Sequence, residues 1–134
     1  MGYYYVITSD IYLNDVSKSN WKDNSPNSWR YVEKYFRGTI DGADHTIYGL
    51  YYNGNKKIFG LVNRIDGETV FKNIRISDSY IKTTGGTTED DTLIGTAAFA
   101  GFAKTGASLT AENCYVSESV LISGVKGVAS FCGY

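Results

Sequence analysis

The chain has 134 residues, 43% hydrophobic and 20% charged, with a net charge of −1. That length suits one domain with a sizeable core, and the charge balance offers no electrostatic footprint for nucleic acid or an anionic membrane. No apolar run is long enough to span a bilayer, and Met1-Gly-Tyr-Tyr-Tyr lacks the basic and apolar regions of a signal peptide, so an exported protein would carry its signal and anchor outside this chain. Fifteen glycines against the single Pro26 suit many tight turns in a regular backbone.

In chain order, Tyr3–Ile7 and Asp10–Leu13 are β-branched and aromatic runs that predict strands. Residues 14–35 form a polar loop or cap containing Trp21, Asn24, Pro26 and Asn27. Within it, Ser28 either caps a short helix reaching Phe36, with Tyr31–Tyr35 and Val32–Phe36 at i, i+4, or belongs to irregular strand. Phe36–Leu50 predicts strand, turn, strand around Asp41-Gly42, and Tyr51–Lys57 a second turn with Asn-Gly at its tip. Ile58–Val62 and Val70–Ile76 predict strands separated by a turn at Asp66-Gly67. Thr83–Thr92, with Glu89-Asp90-Asp91, is a polar acidic insertion.

From Phe59 onward the chain repeats itself. Lys72-Asn-Ile-Arg-Ile-Ser-Asp-Ser-Tyr-Ile aligns with Glu112-Asn-Cys-Tyr-Val-Ser-Glu-Ser-Val-Leu, and Ala97–Phe102 recurs as Ala129–Tyr134. Self-similarity at a period of roughly 20–50 residues marks a repeat architecture. Short alternations such as Ile74-x-Ile76 and Cys114-x-Val116, without 3.6-residue periodicity, predict a coiled all-β solenoid with equivalent residues stacked. The expected inward columns are Ile74 over Cys114, Ile76 over Val116, Ile81 over Leu121, and Leu61 with Phe102 and Tyr134. Asn73 over Asn113 is an expected side-chain amide ladder. Cys114 and Cys132 sit at different points of the repeat and are read as small buried apolar side chains, not a disulfide.

These residues carry a resemblance. Phe36-Arg-Gly-Thr-Ile-Asp-Gly-Ala-Asp-His-Thr-Ile-Tyr-Gly-Leu50 resembles the F-x-G-x-x-D-G-x-x-H-x-I-x-G-L signature of bacterial cell-surface proteins with GLUG-type repeats. Ile58-Phe-Gly-Leu, Phe71-Lys-Asn-Ile-Arg-Ile, Ala100-Gly-Phe, Ala111-Glu-Asn-Cys-Tyr-Val and Cys132-Gly-Tyr fit the same pattern, and Tyr5–Leu13 resembles the x-L-x-x-D-I-x-L opening that precedes it. The resemblance implies a right-handed parallel β-helix in an exported bacterial protein, with adhesion as its usual guessed role. Residues 1–134 would form one β-helix domain of about four coils, 36–134 supplying the repeats. Ala100-Gly-Phe-Ala and Phe131-Cys-Gly-Tyr depart from the tidier glycine repeat, which bears on coil geometry.

The residues also set up functional alternatives. Asp41, Asp44 and His45 could supply a general base only if His45 were supported by Asp44; the simpler reading is a structural turn in which Asp41-Gly42 bends the chain and His45 bonds the next coil's backbone. Glu89-Asp90-Asp91 lacks the spacing of a calcium loop, and no catalytic, metal or cofactor residue is assigned. Trp21, Trp29, Tyr51 and Tyr52 lie amid Asn and Asp and could stack on sugar rings, or Trp21 and Trp29 could cap the solenoid's end. The reading taken is a non-catalytic structural or adhesive surface module. Its alternatives are a carbohydrate-binding module for a glycan or host-surface ligand, a subunit stacking through open ends on neighbouring coils or copies, and a partial polysaccharide lyase or hydrolase.

Overall fold

The computed structural model describes residues 2–30, 34–86 and 93–134. They form an all-β structure of parallel sheets, with a single 3-10 turn at Trp21–Asp23 and no α-helix among the described residues. The strands in chain order are β1 (Tyr3–Val6), β2 (Ile11–Tyr12), β3 (Tyr35–Asp41), β4 (Thr46–Tyr48), β5 (Tyr51–Gly54), β6 (Ile58–Phe59), β7 (Val62–Lys72) and β8 (Arg75–Ser77). They continue with β9 (Tyr80–Thr83), β10 (Gly95–Ala97), β11 (Ala100–Ala103), β12 (Ser108–Glu112), β13 (Tyr115–Val116), β14 (Leu121–Ser123) and β15 (Val128–Ala129).

No described strand pairs with its neighbour in sequence. Consecutive strands lie in different sheets, apart from β11 and β12, which both lie on β7, and each strand pairs with one further off along the chain. The first sheet runs β1-β3-β7 with β11 and β12 both on β7, the second β2-β4-β8-β13, the third β5-β9-β14 and the fourth β6-β10-β15. Parallel pairing demands such long connections, because a two-residue hairpin can join only antiparallel strands. Asp41-Gly42 therefore makes no hairpin; it turns the chain from the first sheet to the second, where Thr46–Tyr48 pairs with Arg75–Ser77.

Equivalent residues stack in columns across these passages. Ile11 pairs with Ile47, Ile47 with Ile76 and Ile76 with Val116, an apolar column on the inner face of the second sheet. Phe71 and Phe99 lie with ring centroids 5.4 Å apart, and Phe99 stacks on Phe131 at 5.2 Å. Leu50, Phe59, Ile65, Phe71, Ile76, Ile81 and Phe99 are wholly buried. At roughly 1.5–3 kcal/mol for each large apolar side chain removed from water, this inner seam is the main favourable contribution to the fold.

Several expectations are corrected. Residues 51–54 are strand, not turn: Tyr51–Gly54 pairs in register with Tyr80–Thr83, and that ladder outweighs the Asn53-Gly54 turn signal. Asp66-Gly67 does not divide two strands. β7 runs straight through it, Gly67 taking φ +81°, while the partner strand slips register between Phe36 and Gly38. This is a local bulge, across which Arg37 and Asp66 form an ion pair. Ser28–Arg30 carry no helical turn and Tyr35 and Phe36 open β3, so the helix from Ser28 to Phe36 does not form at its ends; residues 31–33 lie outside the described residues.

Ile81 stacks on Ile122, not Leu121, which pairs with Tyr80 and is 52% exposed. The cause is one extra residue at the preceding corner. Asp78 turns that corner with φ +44°, whereas its equivalent is a turn over Glu118-Ser119 closed by Val120 N–H donating to Ser117 O at 3.1 Å. Because side chains alternate, a one-residue slip exchanges the inner and outer faces. Leu61 likewise leaves its expected column: Phe102 pairs with Arg64 and stacks on Tyr134 at 5.9 Å. Cys114 and Cys132 are unpaired and half-buried rather than fully buried, and burial raises both thiol pKa values.

Candidate functional site

Polar side chains concentrate at the corner between the first and second sheets. Asn73 and Asn113 occupy left-handed backbone (φ +54° and +50°), which asparagine tolerates better than most residues because its short amide can bond locally. Asn113 Nδ2 donates to Asn73 Oδ1 at 2.9 Å, and Asn73 Nδ2 donates to Asp41 Oδ1 at 3.1 Å. The expected ladder is therefore present and ends on a carboxylate. Ala43 N–H donates to the same Asp41 oxygen at 2.9 Å, and Tyr4 Oη donates to Asp41 Oδ2 at 2.9 Å.

The hydrogen bond from the Ala43 amide, then those from Asn73 and Tyr4, hold the Asp41 carboxyl below its ordinary value of 3.8. A carboxyl with a depressed folded-state pKa favours folding above its unfolded value, and that contribution is lost as pH falls through the lower folded value. The expected result is that Asp41→Asn removes part of the acid-side fall in stability below about pH 4, seen as a flatter dependence of the urea midpoint on pH.

Asn73→Ala removes the middle rung and forces alanine into left-handed backbone. It should cost about 1–3 kcal/mol, the sum of a lost net hydrogen bond and the conformational penalty, in urea unfolding. Asn73→Gly, which relieves the backbone, should recover part of that loss.

Asp41, Asp44 and His45 do not converge. His45 Nδ1 faces Asp10 Oδ1 at 3.3 Å rather than Asp44, while the His45 carbonyl accepts from Arg75 N–H of the next passage at 3.3 Å, the expected bond to neighbouring backbone. Asp44 instead accepts from Asn113 Nδ2 at 3.3 Å. Of the three, only Asp44 lines the adjacent hollow of about 290 Å³, with Asn73, Asn113, Arg75 and Tyr115. Gly42 is buried against Asn73 and Ile74, where a side chain would collide with backbone.

The four aromatic candidates separate into three places. Trp21 is 8% exposed and packs edge-on against Tyr51, with centroids 6.0 Å apart, on the outside of the third sheet. Asn14 ties this loop down: its Nδ2 donates to Gly49 O at 2.8 Å and Asn27 O at 2.9 Å, and its Oδ1 accepts from Asn27 N–H at 2.7 Å. Tyr51 stacks on Tyr80 at 5.7 Å, and Lys22 Nζ lies 5.4 Å from the Tyr80 ring centre. With Ser19, Asn20, Asp23 and Asn53 these residues line a hollow of about 460 Å³. Tyr52 stacks on Phe59 at 4.6 Å, and its hydroxyl accepts from Lys56 N–H. Trp29 is half-buried, with Nε1–H donating to Leu61 O at 3.1 Å.

Sequence reasoning missed Tyr80, Lys22, Arg75 and Tyr115. Tyr80 had a signal, since it stands four residues after Ile76 as Tyr51 stands four after Ile47. Glu89-Asp90-Asp91 lies outside the described residues. No family profile, curated protein or solved structure matches the chain.

Proposed function

We propose that this chain is a right-handed parallel β-helix module of the GLUG-type bacterial cell surface, acting as a non-catalytic structural and adhesive element outside the cell. The observation that carries the reading is the stacking of like side chains over successive parallel passages, Ile11–Ile47–Ile76–Val116 on one face and Asp41–Asn73–Asn113 at the corner. Right-handedness follows the strong preference of parallel crossovers. A rod of stacked coils is stiff along its axis and presents its outer faces as a repetitive surface, the mechanical requirement of an adhesive stalk.

A second reading, a carbohydrate-binding module, is favoured by the hollow in which Tyr51 and Tyr80 meet the amides of Asn20 and Asn53 and the Asp23 carboxylate. Aromatic faces beside amides and carboxylates suit sugar rings and their hydroxyls.

Glycan-array and insoluble-polysaccharide binding by the purified domain, with Tyr80→Ala and Trp29→Ala alongside, tests both. Specific binding that survives in a folded Trp29→Ala but fails in a folded Tyr80→Ala supports the module reading with its site at the tyrosine pair. Turnover of a bound polysaccharide would overturn the non-catalytic reading.

A further inference from the structure

Trp29 belongs to a different cleft from the other aromatic candidates. Trp29, Arg30, Lys34, Tyr35, Phe36 and Asn63, with the apolar Leu61 and Val62, line a cleft of about 340 Å³. Three features there point to a ligand.

The first is charge. Arg30 and Lys34 stand on the cleft, and among the described residues neither is paired with a carboxylate. Beside them, Lys104 Nζ lies 5.4 Å from the Tyr35 ring centre and Arg64 Cζ 6.0 Å from it. Two cations line the cleft and two more flank its Tyr35; of the nearby carboxylates, Asp66 is engaged by Arg37 and Lys104, and Glu33 lies outside the described residues.

The second is an unanswered acceptor. Asn63 is 3% exposed, and its Oδ1 has no hydrogen-bond partner; the only other such buried side-chain atom among the described residues is Nε of the adjoining Arg64. A buried polar atom left unpaired costs its full desolvation penalty, so its persistence calls for a reason.

The third is the aromatic wall of Trp29, Tyr35 and Phe36, with Tyr35 43% exposed.

We infer that this cleft binds an acidic saccharide, a sugar ring carrying a carboxylate together with free hydroxyls. The carboxylate meets Arg30 and Lys34 through charge-assisted hydrogen bonds. The ring's C–H face lies on Trp29 or Tyr35. Asn63 Oδ1 is covered in the free chain, so its amide turns toward the cleft on binding and there accepts from a sugar hydroxyl, a contact that an acceptor-only anion such as a phosphodiester cannot make. The inference rests on the adhesive reading above and gives it a ligand class.

The test is titration calorimetry of the whole chain with trigalacturonate, its methyl ester and polyglutamate. Trigalacturonate should bind, with the methyl ester weaker by about tenfold or more. Affinity should fall as salt is raised. Arg30→Gln with Lys34→Gln should weaken trigalacturonate by about tenfold or more while leaving the thermal midpoint unchanged. Asn63→Leu should weaken binding yet raise the thermal midpoint of the free domain, because it removes the orphan acceptor; a purely structural asparagine would do the reverse.

Equal affinity for acid and ester, unchanged affinity in the folded double variant, or no binding by a cooperatively folded domain each overturns the inference. Polyglutamate bound as tightly overturns the sugar class. Neutral glycans retained on the array by a chain that binds no trigalacturonate would sink this cleft and leave the adhesive reading standing.

Discussion

Replacing Phe99 with alanine is expected to destabilise the domain by about 3–5 kcal/mol, the range for removing a fully buried phenylalanine. Phe99 is wholly buried and stands between Phe71 and Phe131, so its loss opens a void bordered by rings from both neighbouring passages. Phe71 is pinned in the β7 ladder and Phe131 by its carbonyl accepting from Ala100 N–H, so neither ring closes the gap freely, which is why the cost should lie at the upper end. Urea unfolding should show a lower midpoint with an unchanged slope. Phe131→Ala should cost less, because Phe131 is only half-buried and touches Phe99 on one side. Equal losses for the two would mean that the stack is not the organising feature of the core.

The second large effect is expected at Gly95. A Cβ there would fall inside van der Waals contact of the Gly101 carbonyl and press on Tyr134 Cβ. At the same crossing, Gly101 meets the backbone of Phe59 and Gly60 meets the Gly101 amide. Three glycines thus mark where the chain passes from the fourth sheet to the first with backbone against backbone. Gly95→Ala has no flexible side chain to displace, and it should cost about 3 kcal/mol or more, the upper end of overpacking. Gly106→Ala serves as the comparison. Gly106 takes φ +85° but has nothing near its absent Cβ, so it should lose only about 1–2 kcal/mol from backbone strain. Comparable losses at both sites would argue against close backbone approach at Gly95.

The same glycines explain why part of the fold was legible. The motif residues Gly60, Gly101 and Gly133 lie where backbones nearly touch, and Asn73 and Asn113 lie where the corner demands left-handed backbone. Both are requirements on residue type, and they surface in the sequence as repeats. Ile76 and Val116 were legible for the same reason, since no insertion separates them from the asparagines.

What was not legible has equally physical causes. Ser79 and Ser119 are identical in type, yet Ser79 is buried, accepting from Leu50 N–H at 3.0 Å, while Ser119 lies outside, accepting from Asp78 N–H at 2.9 Å. An ungapped alignment cannot see the two-residue turn that replaces Asp78, and so it places Leu121 where Ile122 belongs. The first passage, β1 and β2, lacks the asparagine corner, and its role emerges only through pairing with β3 and β4. Likewise Asp10 reaches His45 across 35 residues, a contact that no local spacing reveals.

The candidate site divides along the same line. Aromatic residues in a polar loop were visible as a composition, but their grouping depends on where the loop returns. Trp29 N–H donates to Tyr51 O at 2.8 Å, which aligns the returning chain with β5 and sends its indole toward Leu61, away from Trp21. Arg30 and Lys34 gain meaning only from that placement.

The central claim is that successive passages of the chain stack in parallel, strand on equivalent strand. Cross-strand NOEs around Phe71 in a labelled sample test it most directly. Phe71 pairs with Ile40 on one side and Ala111 on the other, both parallel, so contacts should run to both neighbours with the staggered pattern of parallel strands. Contacts joining Ile40 to Thr46 across Asp41-Gly42 in an antiparallel pattern would instead make that turn a hairpin, and would contradict the account.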